Sequence, residues 1–387
     1  MASSFFLNTG MKPALYVHIP FCSAKCDYCD FFSLDCRSRE DKEAFTRALV
    51  RQLSFFCDRL KIDEFPTVYI GGGTPTSLTP ESLEMIFSAI ARAGGKLPLE
   101  WTVEVNPESL SRDHLDLFSA YPVTRLSMGV QSIHGPSRKF LGRRGSLKSV
   151  YAAFDLLGKN WKGKLSIDLI RGLPESASLL LEEELAMLPL SGIEHISLYD
   201  LSLEEGTPLA LRTGKIGARN DSLPRDIESR GFLHYEVSNY AKPGNESLHN
   251  RSYWEMEPYL GIGPGAVSLL YGNDSWMHQS VRPDLNLYLR GKPEDYTEIE
   301  YPSAVEFFIE HLFMGFRQVR GISLEKIERR FGHSLRDIIP RTLGVWADSL
   351  SIDTEAGRLA LGPEAFWIQD RFFLDAWKEL ESLNPFA

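Results

Sequence analysis

The chain has few cysteines, no long apolar run and no excess of positive charge, and each absence excludes a class of protein. Five cysteines in 387 residues are too few for a disulfide framework, which indicates a reducing compartment. No apolar stretch approaches the roughly 18 residues that a membrane-spanning helix needs. The first residues lack the basic region and apolar core of a secretory signal. The sequence therefore predicts a cytoplasmic protein.

Acidic residues outnumber basic ones, and the formal net charge is −10. Binding along a nucleic-acid backbone needs clustered lysine and arginine, so we expect no nucleic-acid partner. Hydrophobic residues make up 43% of the chain, which over this length supports a large core. The expected organisation is one large domain with a smaller appendage.

Three of the five cysteines lie within one short segment. It reads Tyr-Val-His-Ile-Pro-Phe-Cys-Ser-Ala-Lys-Cys-Asp-Tyr-Cys-Asp-Phe and contains Cys22, Cys26 and Cys29. Thiolates at this spacing can hold one metal centre and leave a coordination position open. Iron–sulfur clusters usually take four cysteines, and a structural zinc site takes four closed ligands, so neither pattern is complete. A disulfide pair with a spare thiol, or an incidental group of cysteines, is the alternative.

The other two cysteines are weaker candidates. Cys57 lies in a segment from about residue 40 to residue 60 where apolar residues recur at helical spacing. We expect it to pack at the edge of that apolar face. Cys36 could in principle be a fourth ligand, but its spacing from Cys29 matches no cluster pattern, so this role is disfavoured.

Short β-rich runs alternate with helical patterns over the first 200 residues. This alternation is typical of βαβ units with a parallel sheet. It predicts an α/β fold whose main part is an open, partial (β/α)6 barrel of the TIM type. In such barrels the reactive residues collect at the C-terminal ends of the strands. The predicted strands cover residues 14–19, 67–70, 101–105, 124–130, 165–170 and 195–199.

The second predicted strand is followed by Gly-Gly-Gly-Thr-Pro, from Gly71 to Pro75. Glycines allow a backbone to approach a ligand closely and to expose its N–H and C=O groups, and the proline fixes the exit of the turn. A phosphate-binding loop is disfavoured because no Gly-Lys-Ser/Thr follows. We therefore expect this turn to contact another kind of ligand.

Polar side chains interrupt the next three predicted strands. Glu104 ends the third strand, Gln131 ends the fourth and Asp168 lies in the fifth. A carboxylate in an apolar strand is costly to bury unless it is paired or bound to a ligand. For Asp168, the alternative to ligand binding is an internal ion pair with Arg143 or Arg171.

The cysteine spacing, with Tyr28 before the third cysteine, resembles the cluster loop of the radical S-adenosylmethionine (SAM) superfamily. In that superfamily three cysteines hold a [4Fe–4S] cluster whose unique iron binds the amino and carboxylate groups of SAM. The resemblance implies a [4Fe–4S] cluster on the three cysteines and SAM as a second cofactor. Arg143 would then clamp the SAM carboxylate at two points. The resemblance places around SAM Tyr16, Gly72, Gly73, Thr74, Glu104, Gln131, Arg143 and Asp168.

The motifs Tyr-Val-His-Ile-Pro-Phe-Cys, Gly-Gly-Gly-Thr-Pro-Thr, Arg-Leu-Ser-Met-Gly-Val-Gln-Ser and Asp-Leu-Ile-x-Gly-Leu-Pro narrow the resemblance. Together they resemble the oxygen-independent coproporphyrinogen III oxidase group. One branch of this group is the decarboxylating coproporphyrinogen dehydrogenase, and the other is the heme chaperone of the HemW type. The dehydrogenase branch has a further cysteine where this chain has Phe31, and a longer N-terminal arm than is expected here. Both features favour the chaperone branch.

A second motif, His249-Asn-Arg-Ser-Tyr-Trp254, resembles the His-Asn-x-x-Tyr-Trp motif of the heme chaperones. A neutral imidazole is a natural axial ligand of heme iron, so the resemblance makes His249 a heme-binding candidate. Tyr253 and Trp254 offer flat faces to a porphyrin. A structural role for His249 is the alternative. The chain departs from the family at Ser247, where a cysteine is common, and at Arg144-Gly145, where a histidine is often found.

Three regions are expected along the chain. Residues 1–240 form the barrel with its cluster loop, and residues 241–301 form the heme-associated segment and a bridge. Residues 302–387 form a winged-helix-like α+β cap with a small hairpin over residues 350–352 and 358–361. Ser334 is placed to cap one of its helices.

The function implied by the resemblance is a heme chaperone that binds a [4Fe–4S] cluster, SAM and heme and delivers heme to respiratory acceptor proteins. The alternative is the coproporphyrinogen III oxidase of porphyrin biosynthesis, so enzymatic activity is open at this point. The resemblance also allows peripheral membrane association and a homodimer.

Overall fold

The structure is a computed structural model that describes residues 11–35, 37–213, 225–272, 275–383 and 386. Cys36 lies outside the described residues. Seventeen strands are present in this part of the chain. They are β1 (Ala14–Ile19), β2 (Phe21–Cys22), β3 (Leu34–Asp35), β4 (Thr67–Gly72), β5 (Glu100–Val105), β6 (Arg125–Gln131), β7 (Lys164–Arg171), β8 (His195–Asp200), β9 (Leu233–Glu236), β10 (Asn239–Ala241), β11 (Tyr259–Ile262), β12 (Val267–Tyr271), β13 (Trp276–Val281), β14 (Thr297–Glu300), β15 (Ile322–Ser323), β16 (Leu350–Asp353) and β17 (Arg358–Leu361).

Sixteen α-helices connect or cover these strands in the described ranges. Several of the longer ones begin at a serine or threonine whose side chain accepts a backbone N–H, as at Ser38 before the first helix. The helices are α1 (Arg39–Leu60), α2 (Pro80–Ala93), α3 (Arg112–Ala120), α4 (Gly135–Phe140), α5 (Leu147–Asn160), α6 (Leu181–Met187), α7 (Pro208–Thr213), α8 (Arg225–Glu228), α9 (Leu248–Trp254), α10 (Leu285–Arg290), α11 (Pro293–Tyr296), α12 (Ala304–Gly315), α13 (Leu324–Phe331), α14 (Leu335–Ile338), α15 (Pro340–Val345) and α16 (Gln369–Leu383).

The main sheet has twelve strands in the order β14-β13-β12-β11-β1-β4-β5-β6-β7-β8-β10-β9. The six predicted barrel strands, β1 and β4 to β8, are confirmed and run parallel in sequence order. The sequence analysis missed a seventh parallel strand, β11, which pairs with the other edge of β1. Residues 259–300 therefore extend the sheet of the barrel, and the division into domains stays a prediction.

The barrel strands are apolar on their outer face and polar on their inner face. Outward residues such as Val17, Ile70 and Leu126 belong to the main core, together with Phe45 and Leu49 of α1. The alternating residues point inward because side chains in a strand change face at every step. This pattern leaves a polar barrel interior in which buried carboxyl groups can find partners.

The C-terminal part packs five helices, α12 to α16, around a three-stranded sheet in the order β15-β17-β16. The predicted hairpin is present as β16 and β17, which pair in antiparallel fashion. Ser334 caps α14 by accepting the N–H of Asp337, as expected. These elements agree with an α+β cap. Among the described helices, none has the length and apolar character needed to cross a bilayer.

Candidate cofactor site

The cysteine loop leaves the C-terminal end of β1 and is closed at its base by the pairing of β2 with β3. The middle of the loop is held by two backbone hydrogen bonds. The Asp27 N–H donates to the Leu141 carbonyl, and the Leu209 N–H donates to the Asp27 carbonyl. Arg212 forms an ion pair with Asp27. Tyr28 packs against a small apolar cluster that includes Leu141 and Leu209. The loop is therefore fixed at its base and at its tip.

The three cysteines of the loop are free thiols, contrary to the disulfide alternative. Thr74 Oγ1 lies 3.8 Å from Cys22 Sγ, and Arg143 Nη1 lies 3.4 Å from Cys26 Sγ. Burial raises the pKa of the Cys29 thiol to about 11. In the described part of the chain, no three His, Cys, Asp or Glu side chains converge on a single metal ion.

A cavity of about 480 Å³ lies directly beside the three thiols, at the C-terminal ends of the barrel strands. Ten of the twelve residues predicted for the cofactors line it, and they come from the cysteine loop and from four strands or the turns that follow them. These residues are Cys22, Cys26, Cys29, Gly72, Gly73, Thr74, Glu104, Gln131, Arg143 and Asp168. Among the described residues, the predicted Tyr16 and His249 are not part of this lining.

Two inward-facing carboxyl groups lie in the cavity wall. Glu104 accepts hydrogen bonds from the Tyr69 hydroxyl at 2.8 Å and from the Gly72 N–H at 3.1 Å. Burial and the nearby Asp168 raise the pKa of Glu104 to about 7. Burial likewise raises the pKa of Asp168 to about 6, although Ser127 donates to it at 3.2 Å. A cationic ligand in the cavity would therefore favour the ionised form of both groups.

Asp168 forms no direct ion pair with Arg143 or Arg171 among the described contacts, although the sequence left this alternative open. Arg171 bonds Asp200 with its Nε at 2.7 Å. Arg143 Nη2 donates to Asn106 Oδ1 and to the Gly129 carbonyl, each at 2.7 Å. Asp168 accepts hydrogen bonds from Ser127 and Ser197 instead, and the charge of Arg143 acts on it without a direct ion pair.

The glycine turn after β4 packs closely against backbone and side-chain atoms of neighbouring strands. A Cβ at Gly73 would lie 2.8 Å from the Phe21 carbonyl oxygen, and one at Gly71 would lie 2.6 Å from the Glu104 carboxyl. The N–H groups of Gly73 and Thr74 donate to the carbonyls of Ile19 and Phe21. The expectation that this turn contacts a ligand stays a prediction, and Gly72, Gly73 and Thr74 do line the cavity. The glycines let the turn pack against the strands that carry the cysteine loop.

Gln131 reaches the cavity through an irregularity in its strand. Its φ is +66°, and the register of β6 against β7 shifts between Gly129 and Gln131. A bulge of this kind re-aims a side chain at the end of a strand. A Cβ at Gly129 would lie 3.0 Å from Gln131 Nε2, so the small residue makes room for the amide.

Arg143 is already engaged by the protein at several points. Besides Asn106, Gly129 and Cys26, it lies 3.7 Å from a carboxylate oxygen of Glu108. Its buried Nε has no hydrogen-bond partner among the described residues. A two-point clamp on a ligand carboxylate stays a prediction, and the contacts show Arg143 as a charge partner of the Cys26 sulfur.

The sequence analysis missed several cavity residues. Asn106 directly follows β5 inside the Val-Glu-Val-Asn-Pro run, and Ser127 faces inward two residues after Arg125. Tyr199 is the second-to-last residue of β8 and also lines the cavity. Alternation along the predicted strands could have identified Ser127 and Tyr199, since both share the inward face with known candidates.

The His249 motif lies at the opposite end of the barrel from the cysteines. Helix α9 and the segment just before it contact the first residues of three barrel strands. His249 bonds Thr67 and Glu100, and the Glu246 carbonyl accepts from Arg125. His249 Nδ1 bonds Thr67 Oγ1 and His249 Nε2 bonds the Tyr253 hydroxyl, each at 2.9 Å. The ring is 1% exposed, and burial lowers its pKa to about 3. These contacts match the structural alternative for this histidine.

The neighbours of His249 are also committed to internal contacts. Ser247 caps α9 and donates its hydroxyl to Glu100 Oε1 at 3.2 Å. The Arg317 guanidinium lies over the Trp254 ring, 5.5 Å from its centroid. Glu255, at the end of α9, binds the cap cations Arg320, Lys326 and Arg358. The motif therefore closes the barrel floor and joins it to the cap.

A parallel open barrel with three free thiols beside a polar cavity at its C-terminal mouth is the arrangement of a radical SAM protein. The family model for the radical SAM superfamily matches residues 16–181. Heme chaperone HemW of Lactococcus lactis is 31% identical, over 94% of this chain and 98% of the relative. HemW of Bacillus subtilis is also 31% identical, over 86% of this chain and 90% of the relative. The chain belongs to the HemW family of the radical SAM superfamily.

Two further relatives extend the comparison. A mitochondrial radical S-adenosyl methionine domain-containing protein 1 of Bos taurus is 35% identical, over 81% of this chain and 74% of the relative. The solved structure of coproporphyrinogen III oxidase (HemN) from Escherichia coli has a TM-score of 0.74 and 18% identity, and covers 95% of this chain and 90% of that chain. At this identity the likeness shows the fold alone.

The residues present fit the cofactors of the superfamily, a [4Fe–4S] cluster and SAM. The three spaced thiols suit a four-iron cluster, which takes each thiolate on a different iron. The cavity beside them holds Glu104 and Asp168, which suit the ribose hydroxyls or the sulfonium of SAM, and the unpartnered Arg143 Nε suits its carboxylate. When bound, the cluster supplies an electron to the SAM sulfonium.

Proposed function

We propose that this protein is a heme chaperone that binds heme and delivers it to acceptor proteins. The observation that carries the proposal is the full-length relationship to curated proteins named heme chaperone HemW, at 31% identity over 94% of the chain. The similarity includes the barrel, the motif helix and the cap. A shared arrangement of all three parts supports a shared task.

Within this function the cavity residues hold the cofactors. Cys22, Cys26 and Cys29 would hold the cluster, and the carboxyl groups of Glu104 and Asp168 would face the ribose hydroxyls or the sulfonium of SAM. Gln131, Thr74 and Gly72 would contribute polar contacts from the neighbouring turns. The ligand roles of all these residues are proposals that rest on their position in the cavity lining.

Coproporphyrinogen oxidation is the less favoured function. The structural neighbour with that activity shares only 18% identity with this chain. At the rim of the cavity Phe31 is 61% exposed, where the decarboxylating branch has a cysteine. An exposed phenylalanine cannot ligate metal or donate a proton, so the rim lacks that branch's polar group.

The contacts of His249 constrain any heme site. An iron ligand at this position would have to release either Thr67 or Tyr253, because both ring nitrogens are hydrogen-bonded. Trp254 is likewise covered on one face by Arg317. We therefore propose that His249 serves the fold and that heme iron finds its ligand elsewhere. The half-buried His278, whose Nε2 bonds Glu310 at 2.9 Å, is one candidate to test.

Respiratory heme proteins in the cytoplasm or at the membrane surface are the proposed acceptors. The absence of a spanning helix among the described residues does not decide the compartment. Peripheral membrane association and a homodimer also stay proposals. All of these rest on the family resemblance.

The test is anaerobic reconstitution of the cluster, followed by parallel heme titration and a coproporphyrinogen decarboxylation assay. The chaperone proposal predicts a saturable Soret band and transfer of heme to an apo-cytochrome, without decarboxylation. Turnover of coproporphyrinogen would overturn the proposal in favour of the oxidase. A protein that binds no heme would also overturn it.

A further inference from the structure

His18 is a buried polar residue of β1 whose role is not explained by cofactor binding. It lies four residues before Cys22 and is 5% exposed. Its Nε2 lies 2.9 Å from the carbonyl oxygen of Phe32, at the return end of the cysteine loop. Its Nδ1 lies 2.9 Å from the Tyr16 hydroxyl. The ring therefore spans from the strand that enters the loop to the segment that leaves it.

The two hydrogen bonds define a single protonation state of the ring. A carbonyl oxygen can only accept, so Nε2 must carry the proton that bonds Phe32. In the neutral ring Nδ1 is then an acceptor, and the Tyr16 hydroxyl donates to it. Burial lowers the pKa of His18, which keeps the ring neutral. The Phe32 carbonyl thus requires the Nε2–H tautomer, and the Tyr16 hydroxyl supports it by donating to Nδ1.

Glycines on both neighbouring strands make room for this ring and its backbone. A Cβ at Gly72, in β4, would lie 2.5 Å from the His18 ring, and one at Gly263, after β11, would lie 2.3 Å from the His18 carbonyl oxygen. Both glycines have positive φ. Gly265 lies against Phe32, where a Cβ would come within 3.3 Å of the Phe32 Cβ. Glycines from two distant parts of the chain therefore pack against the two residues of the His18–Phe32 contact.

The return end of the loop has few other supports. The Leu34 N–H donates to the Pro20 carbonyl at 2.6 Å, and β3 pairs with β2 over two residues. Lys25 Nζ donates to the Phe31 carbonyl, but this bond is exposed. The bond from His18, together with the packing of Gly265 against Phe32, ties this segment to the barrel wall.

We propose that His18 is a positioning residue for the iron–sulfur cluster, which sets the place of Cys29 by holding the Phe32 carbonyl. Loss of the bond frees the return segment of the loop, so the cluster is held less firmly and is more open to oxygen. The proposal concerns the cluster and not heme, and no heme measurement enters its test.

The experiment compares His18→Gln with His18→Asn. The amide nitrogen of glutamine can occupy the place of the imidazole Nε2, whereas that of asparagine lies near the place of Nδ1 and cannot reach Phe32. After anaerobic reconstitution, the decay of the cluster absorbance in air and the electron paramagnetic resonance spectrum of the reduced cluster are recorded. His18→Asn should lose its cluster about tenfold faster than the wild type, as expected for one buried hydrogen bond. His18→Gln should stay within about twofold.

Equal decay of His18→Asn and the wild type would overturn the proposal. Equal acceleration in both variants would also overturn it, because packing alone would then explain the residue. Circular dichroism of the apo-proteins shows whether each variant folds. If His18→Asn does not fold, Tyr16→Phe tests the same contact, since it removes the hydroxyl that supports this tautomer and orients the ring but keeps the ring itself. A decay about threefold faster supports the proposal, and the wild-type rate overturns it.

Discussion

Replacement of His249 by alanine should destabilise the protein without changing bound heme. The ring is buried, and its removal leaves the Thr67 hydroxyl and the Tyr253 hydroxyl without partners. Each unpartnered buried group costs about 1–3 kcal/mol. The vacated space next to the Tyr69 ring, 5.2 Å away between centroids, adds a cavity cost. We expect the free energy of unfolding to fall by about 3–5 kcal/mol in total.

The assay is urea denaturation of the apo-protein, followed by circular dichroism, for His249→Ala, His249→Gln and the exposed control His333→Ala. Glutamine can replace one of the two hydrogen bonds, so its loss should be about half as large. The control should stay within about 0.5 kcal/mol of the wild type. Heme titration of the folded His249→Ala protein should give the wild-type Soret band.

Two results would refute this reasoning. An unfolding free energy unchanged by His249→Ala would show that the buried contacts do not carry stability. A folded His249→Ala protein with a shifted or absent Soret band would show that the histidine ligates iron, which the sequence motif predicts. The same titration of His278→Ala then shows whether the alternative histidine contributes.

The remaining predictions concern the cofactor cavity and the cap. Alanine at any one of the loop cysteines should abolish the cluster absorbance, whereas Cys57→Ala should keep the iron content, and iron loss from Cys57→Ala would contradict the three-ligand assignment. Affinity for SAM, measured by calorimetry, should rise several-fold from about pH 6 to about pH 7.5, because Glu104 ionises in this range and its carboxylate favours a cation. The Glu104→Gln variant should show a smaller rise. The same rise in the variant and the wild type would contradict a role for Glu104 in SAM binding. Burial would raise the pKa of Glu255, but Lys326, Arg358 and Arg320 lower it to about 2. Glu255→Gln should therefore lower the free energy of unfolding by about 2–3 kcal/mol at pH 7. This loss should shrink as pH falls from about 4.5 towards 2, because the wild-type carboxylate then also gains its proton. An equal loss at both ends of the range would contradict the assigned role of the Glu255 charge.

The barrel could be predicted from the sequence because its signals are local. Short β-rich runs between helical patterns located all six strands to within two residues, and Glu104 and Asp168 were recognisable as carboxyl groups within those runs. The cysteine loop was recognisable from its spacing. Each of these features depends on residues that are close together in the chain.

The position of the His249 motif could not be predicted in this way. Its contacts join residues far apart in sequence, as Thr67 and His249 are separated by 182 positions. A histidine beside a tyrosine and a tryptophan has the same local pattern whether it binds iron or fills a barrel floor. The glycines around His18 show the same limit, because their neighbours come from strands that only the fold brings together.

The place of β1 in the middle of the sheet has a consequence for biosynthesis. The strand that leads into the cysteine loop obtains its second neighbour only when β11 pairs with it, since Ala14 aligns with Tyr259. A ribosome must therefore make more than the first 260 residues before Gly263 and Gly265 can reach His18 and Phe32. We expect the loop to stay loosely held until then. Iron and sulfide should accordingly be inserted after most of the chain has been released from the ribosome, into a nearly complete protein.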